Sequence, residues 1–341
     1  MARTIIIDAF GGDNAPLSVL QGARMAIDEY GVQVILTGNE DSMRAVADAN
    51  KISLEGMRLV HTERTIPVEA EPVSLLKEYE GCSMSRAFQL LAEGEGDAVV
   101  SAGSTGALVV GGTFLIKRLP GIKRVALATQ IPCVGGSFLL LDSGANHDCR
   151  PEMLQQFGIM GAAYMEQVAG VKEPRVGLVN IGSEETKGTD LYVQAHQLLA
   201  ASPISFVGNV EAREVPLGAC DVAVADGFTG NVMLKLTEGV AKFFSGELKE
   251  IFQSSTAGKL GYLAVRGKVA QFKKKMDATE YGGAPLLGTR KPVIKAHGNS
   301  NGKAMKNAIR QAVLMCDNDV IAKTQAALEE YKHRTKEAPQ H

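Results

Sequence analysis

The chain has 341 residues, 45% of them hydrophobic and 22% charged, a mix that belongs to a packed globular protein and excludes a disordered one. A formal net charge of -2 gives no general pull toward nucleic acid, and 5% aromatic content without Trp leaves no stacking platform for single strands. Five Cys, an odd number with no Cys-x-x-Cys, read as reduced thiols and exclude a disulfide framework or a cysteine zinc site.

In chain order, a strand over Thr4–Asp8 comes first, with no charged-then-apolar leader before it. A helix follows over Leu17–Tyr30, then a strand over Val32–Thr37 and a helix over Asp41–Ala49. A strand over Arg58–His61 leads to a helix over Ser83–Ala92, and a strand over Ala98–Ser101 to a helix over Leu108–Arg118. Strands over Val125–Gln130 and Phe138–Asp142 precede a helix over Pro151–Ala169. A strand over Val176–Asn180, a helix over Glu184–Ala201 and strands over Ile204–Gly208 and Val222–Ala225 come next. The long helix Asn231–Gln253, a basic helix-like stretch Gly258–Asp277, a strand over Val293–Ala296 and a helix over Gly302–Lys332 complete the chain.

Most of the strand runs are continuously apolar, as parallel strands covered on both faces are. Strand and helix alternate. The fold class is therefore α/β, a doubly wound and mostly parallel sheet. The expected organisation is one large domain over 1–333, with 258–277 protruding from it and 334–341 a frayed polar tail. No apolar run approaches the roughly 20 residues of a membrane span, and a cytosolic location is expected.

The 37 Gly gather where strands end. These turns are Asp8–Pro16, Ser101–Ala107, Asp142–Asn146, Asn180–Gly188, Asp226–Asn231, Tyr281–Gly288 and Lys295–Gly302. A glycine turn ahead of a helix aims backbone N–H groups and a positive dipole end at one point, which suits phosphate. Candidate binding positions are Asp8, Gly11, Gly12, Asp13, Ser104, Thr105, Gly106, Asn146, Ser183, Gly227, Thr229 and Gly230. Each alone equally reads as a helix cap; so many together suggest a long anion-binding cleft. No turn has Gly-x-Gly-x-x-Gly or P-loop spacing, which argues against NAD and against a P-loop nucleotide. Asp8, Asp13, Asp142 and Asp226 are oxygen donors of the kind Mg²⁺ takes, but the capping reading is favoured, and neither metal nor cofactor is expected.

With these turns in hand, the sequence resembles the phosphate acyltransferases that use acyl-acyl carrier protein. The resemblance is carried by Asp8–Pro16, Ser101–Ala107, Leu141–Cys149, Asn180–Gly188, Phe206–Asn209, Asp226–Lys235, Tyr281–Gly288 and Lys295–Ser300, and spans nearly the whole chain. Phe10 and Ser104 stand where that family often has Met and Asn. The resemblance implies a fold similar to isocitrate and isopropylmalate dehydrogenases and phosphate acetyltransferases. It also implies a homodimer without a redox cofactor, and the reaction of acyl carrier protein thioester with inorganic phosphate to give acyl phosphate.

That chemistry needs no enzyme nucleophile, because a thiolate leaves readily near neutral pH. It needs a held phosphate and an oxyanion donor. Lys187, beside Gly188 in a strand-end turn, and Asn231, opening a helix, are the first catalytic candidates on both grounds, and His297 the third. The basic segment interleaves Lys259, Arg266, Lys268, Lys273 and Lys274 with Leu260 and Leu263. That pattern fits peripheral contact with a membrane surface, where a downstream membrane acyltransferase would take the product, or docking of acidic acyl carrier protein, or a solvated hairpin. A phosphotransacetylase-like enzyme on acyl-CoA and a non-enzymatic carrier-protein or membrane-surface binding module are the alternatives.

Overall fold

The computed structural model describes residues 2–276 and 282–337, including the side chains of all of these except 273–276 and 334–337. Eleven strands form a continuous sheet: β1 (Thr4–Asp8), β2 (Gln33–Gly38), β3 (Met57–His61), β4 (Ala98–Ser101), β5 (Ala126–Cys133), β6 (Gly136–Leu141), β7 (Arg175–Asn180), β8 (Ser205–Glu211), β9 (Val222–Val224), β10 (Ala284–Leu287) and β11 (Val293–Lys295). The helices are α1 (Leu17–Tyr30), α2 (Glu40–Ala49), α3 (Ser83–Glu93), α4 (Thr105–Gly111), α5 (Pro151–Gln167), α6 (Asp190–Ala200), α7 (Gly227–Gln253), α8 (Thr256–Met276), α9 (Gly302–Asp317) and α10 (Val320–Glu337).

The strand order is β3-β2-β1-β4-β11-β10-β5-β6-β9-β7-β8. Pairing is parallel except β11 with β10, β10 with β5, and β5 with β6. Those antiparallel steps reverse the sheet. The strands β3, β2, β1, β4 and β11 run one way; β6, β9, β7 and β8 run the other. The carboxyl ends of the two halves therefore leave the sheet at opposite edges. This corrects the expectation of one cleft along one carboxyl edge: the glycine turns fall into two sets.

Alternate residues explain the layering. Ile5 and Ile7, Val100, Ala128, Leu141 and Val224 point into one core, covered by α1, α5, α6, α9 and α10. The intervening Ile6, Val99 and Leu127 enter a second core under α3 and α4. Phe138, Leu140 and Ala223 enter a third, near the start of α7. The first core spans the whole sheet, whereas the opposite face is divided between the second and the third.

Several elements differ from the sequence reading. β10 lies inside the stretch read as a glycine turn; Gly283 meets Ile294 and the Lys295 backbone so closely that a Cβ there would overlap Ile294. The helix expected over Leu108–Arg118 starts at Thr105 and widens into a π-helical turn over Gly112–Lys117. Residues 184–189 form a tight turn ahead of α6 and not its first turns. The helix expected over Gly302–Lys332 breaks at Asp319, whose φ is 50°. α10 continues to Glu337, beyond Arg334, where the tail was expected to begin.

Candidate active site

The second set of turns is built around Asp226. Its carboxylate accepts the N–H groups of Phe228 and Thr229, both at 2.9 Å, and the hydroxyls of Thr229 at 2.8 Å and Tyr192. Burial pushes this carboxyl up, but those donors outweigh it and hold it below the ordinary range. Burial, with the bond to Asp226, pushes the Tyr192 phenol up to about 12. The α7 terminus lies flush on the Asp142–Asn146 loop: Gly227 donates to the Asn146 carbonyl at 2.7 Å, and a Cβ on Gly230 would overlap the Asp142 carbonyl oxygen. Buried Asp142 fixes that loop, accepting the N–H groups of Leu127, Gly144, Ala145 and Asn146 at 2.7–3.1 Å and the Asn146 amide at 2.7 Å. Asn231 is thus set over Gly144, where a Cβ would stand 3.5 Å from its Oδ1. It is exposed, and its side chain makes no hydrogen bond among the described residues.

Lys187 is placed by Asn180. The Asn180 amide donates to the Lys187 carbonyl at 3.0 Å and its Oδ1 accepts from Ile181 at 2.8 Å, which closes the turn. Gly188 has φ 94° and packs against Asn180 and Tyr192, so a side chain there would be strained and crowded. The Lys187 ammonium is about half exposed and only 3.9 Å from Glu184, a loose pair that a phosphate can displace. Tyr192, in the first turn of α6, carries the chain of contacts from this turn to Asp226. The two leading candidates therefore belong to one rigid half. Asn209, which donates to the Glu184 carbonyl at 2.7 Å and pairs with His196 at 3.1 Å, supports the turn from β8.

The first set lies at the other edge. Asp8 is buried, accepts Ser101 Oγ at 2.7 Å and Phe10 N–H at 3.3 Å, and burial pushes its carboxyl up. Gly11 packs on Asp8, Ser101 and Gly103, while Gly12, with φ 95°, packs on Gly298. Asp13 N–H donates to the Gly298 carbonyl at 2.8 Å, so His297 is held beside this turn. Lys295 was not among the candidates from the sequence, where it only opens the Lys295–Gly302 turn. Its ammonium donates to the carbonyls of Ala102, at 3.2 Å, and Ala296. Burial, opposed by Asp8 and Asp13 and aided by Lys235, brings it down to about 8. Lys235 lies one turn beyond Asn231 on α7. Lys235 is thus near enough to Lys295 to disfavour its charge.

The candidates separate by what their polar groups already do. Asp8, as an acceptor, and Asn146, Gly227, Thr229 and Gly230 already engage theirs in hydrogen bonds inside the protein. Ser104 accepts from Ala107 at 3.5 Å as the cap of α4, and a Cβ on Gly106 would crowd Pro72. Lys187, Asn231, Ser183, Thr105, Asp13 and His297 keep side chains that can turn to a ligand. Among the described residues, no group of three or more His, Cys, Asp or Glu is arranged to hold a metal ion. Burial pushes the Cys149 thiol up to about 12, a poor nucleophile beside the site. In the basic segment, Leu260 and Leu263 are exposed, as are Lys259, Arg266 and Lys268, whereas the side chains of Lys273 and Lys274 lie outside those described. No described helix is long and apolar enough to cross a membrane.

A divided α/β sheet with glycine turns at its strand ends is a fold shared with solved phosphotransacetylases. The solved phosphotransacetylase of Streptococcus pyogenes superposes with a TM-score of 0.62 at 15% identity, over 94% of each chain. A branched-chain phosphotransacylase from Enterococcus faecalis does so with 0.56 at 16%, over 93% of this chain and all of that one. At such identity the likeness concerns the fold. Residues 3–323 match the family model described as fatty acid synthesis protein. The phosphate acyltransferase of Alkaliphilus oremlandii is 46% identical over 317 residues, 93% of this chain and 95% of that protein. That of Clostridium acetobutylicum is 45% identical over 327 residues, 96% and 99%. The chain belongs to this family of phosphate acyltransferases and is a transferase.

Proposed function

We propose that the protein transfers a long-chain acyl group from acyl carrier protein to inorganic phosphate, in one displacement without an acyl-enzyme. The observation that carries this reading is the exposed Asn231 amide on a terminus locked by Asp142 and Asp226, in the same rigid half as the displaceable Lys187 ammonium. Lys187 holds phosphate as a point charge; Asn231 donates to the oxyanion that forms when a phosphate oxygen attacks the thioester carbon. The carbon–sulfur bond then breaks and the carrier leaves as thiolate. Ser183 and Thr105 add hydroxyl donors. Lys295 has a third proton to offer beyond its two carbonyls. His297, Asp13 and the Gly12 turn belong to the other set, at the opposite edge of the sheet, as a second candidate anion position.

Phe228 and Val232, 66% and 51% exposed on either side of Asn231, offer an apolar surface to a fatty chain. Farther along α7, Leu236, Val240 and Phe244 recur every fourth residue and are all exposed. Such a stripe belongs against a second copy of the chain, in a homodimer. The mixed basic and apolar surface of α8 suits peripheral contact with anionic lipid at the cytoplasmic side, near the acyltransferase that consumes the product.

The test is turnover of palmitoyl carrier protein with and without phosphate, following free thiol and hydroxylamine-trapped acyl phosphate. Phosphate-dependent thiol release with trapped acyl phosphate is expected. Thiol release without it would make the protein a thioesterase, and binding without release would leave only a carrier-binding module.

A further inference from the structure

The segment from the π-helical turn to β5 reads Lys117-Arg118-Leu119-Pro120-Gly121-Ile122-Lys123-Arg124, and the turn after β10 reads Thr289-Arg290-Lys291; neither stretch contains an acid. The fold brings them together. Arg118 and Thr289 form a bridge, Leu119 N–H donates to Gly288 at 2.9 Å, and Arg290 N–H donates to Lys117 at 3.0 Å. Lys117, Arg118, Lys123, Arg124 and Arg290 are exposed, and among the described residues none of them meets a carboxylate. In a protein of net charge -2 that is a local excess of positive charge.

The surface is also preorganised. Arg118 is held on the Lys123 carbonyl, Arg290 on the Arg118 carbonyl at 3.2 Å, and Lys291 on the Leu91 carbonyl at 2.7 Å. It is concave, with a hollow of about 370 Å³ lined by Thr113, Phe114, Lys117 and Arg118, and Phe114 lies 60% exposed at its side. The backbone connects it to the loop under Asn231: Arg124 precedes Val125, whose carbonyl accepts the Asn146 amide at 2.8 Å.

We infer that this basic hollow, and not the α8 segment, is where the acidic carrier protein docks to present its thioester to Asn231. The inference rests on the carrier-dependent reading above. Concavity and the backbone link to the Asp142–Asn146 loop favour a protein partner over a flat lipid surface. Opposite charge raises the encounter rate and fixes orientation, and an exposed Phe beside it supplies an apolar anchor.

The experiment uses the triple variant Lys117→Glu/Lys123→Glu/Arg124→Glu, chosen because none of these side chains makes a hydrogen bond in the described structure. Turnover is measured on palmitoyl carrier protein and on palmitoyl-pantetheine, the same thioester without the acidic protein. Binding of acyl-free carrier protein is followed by calorimetry, and co-sedimentation with phosphatidylglycerol vesicles is run alongside. The expected result is a KM for the carrier substrate raised about tenfold or more with kcat little changed, loss of carrier binding, and unaltered pantetheine turnover. An unchanged carrier KM, an equal loss on both substrates, or loss of vesicle binding alone would overturn the docking assignment. Failure of the functional reading looks different, because wild type would then release no thiol to phosphate from either thioester while the binding titration still reports on the surface.

Discussion

Lys187 keeps about half its side chain in water and pairs loosely with Glu184, so removing it changes little in the folded core. Lys187→Ala is therefore expected to lower kcat/KM by about 10²–10³, with stability within about 0.5 kcal/mol of wild type. Coupled thiol-release kinetics and thermal melts check both halves of that expectation. Lys295 behaves differently because it is desolvated. Its proton is held with a pKa near 8 in the folded protein against 10.5 ordinarily. The folded state thus binds fewer protons than the unfolded one across that window, and Lys295 lowers stability below pH 8 in a way that is relieved as pH rises toward 10.5. If its third proton meets phosphate, the KM for phosphate climbs above pH 8, where phosphate is already dianionic. Lys295→Gln abolishes that climb and starts from a higher KM; a parallel climb in the variant would remove Lys295 from the anion site. The lysine was hard to see in the sequence, because nothing in Val293–Lys295 says that its ammonium will be buried against two carbonyls. Lys187 and Asn231 were named from their places in strand-end glycine turns together with the family resemblance, since a solvated lysine or a helix cap reads equally well from those residues alone.

At the scale of elements, the first turn of α7 fixes where Asn231 stands. Asp226 satisfies its first N–H groups, and Gly230 lets the helix settle on the Asp142 carbonyl. Asp226→Ala removes the cap and the Tyr192 bond together, and is expected to cost about 1–2 kcal/mol in urea unfolding. Gly230→Ala forces the helix off the loop; kcat should drop at least about tenfold while the thermal midpoint falls by only a few degrees. Normal kcat in that variant would show that the seating of α7 on the Asp142–Asn146 loop does not position the oxyanion donor. Sequence periodicity found α7 and most helix starts, since caps and apolar spacing are local signals. It missed β10, four residues embedded among glycines, because what makes them a strand is pairing with β11 and β5 and not their own pattern. It also ran α9 and α10 together, as Asp317-Asn318-Asp319 breaks a helix only through the left-handed turn at Asp319.

At the scale of the molecule, α7 exposes an apolar stripe of Leu236, Val240 and Phe244. Leu236→Asp/Phe244→Asp is expected to convert a dimer into a monomer in sedimentation equilibrium, with the monomer's own melting little lowered because both side chains are already exposed. A wild type that sediments as a monomer would dispose of the second copy. The amino-acid sequence determined what depends on near neighbours: the alternation of apolar runs and amphipathic helices that makes this an α/β protein, the glycine turns, and the absence of dinucleotide and P-loop spacings. Only the tertiary structure decided that β5, β6 and β10 reverse the sheet and that the turns therefore face opposite edges in two sets. Strand direction in a sheet is set by which edges pair over long separations, and those pairings are chosen by the collective burial of three cores, which no local stretch of sequence encodes.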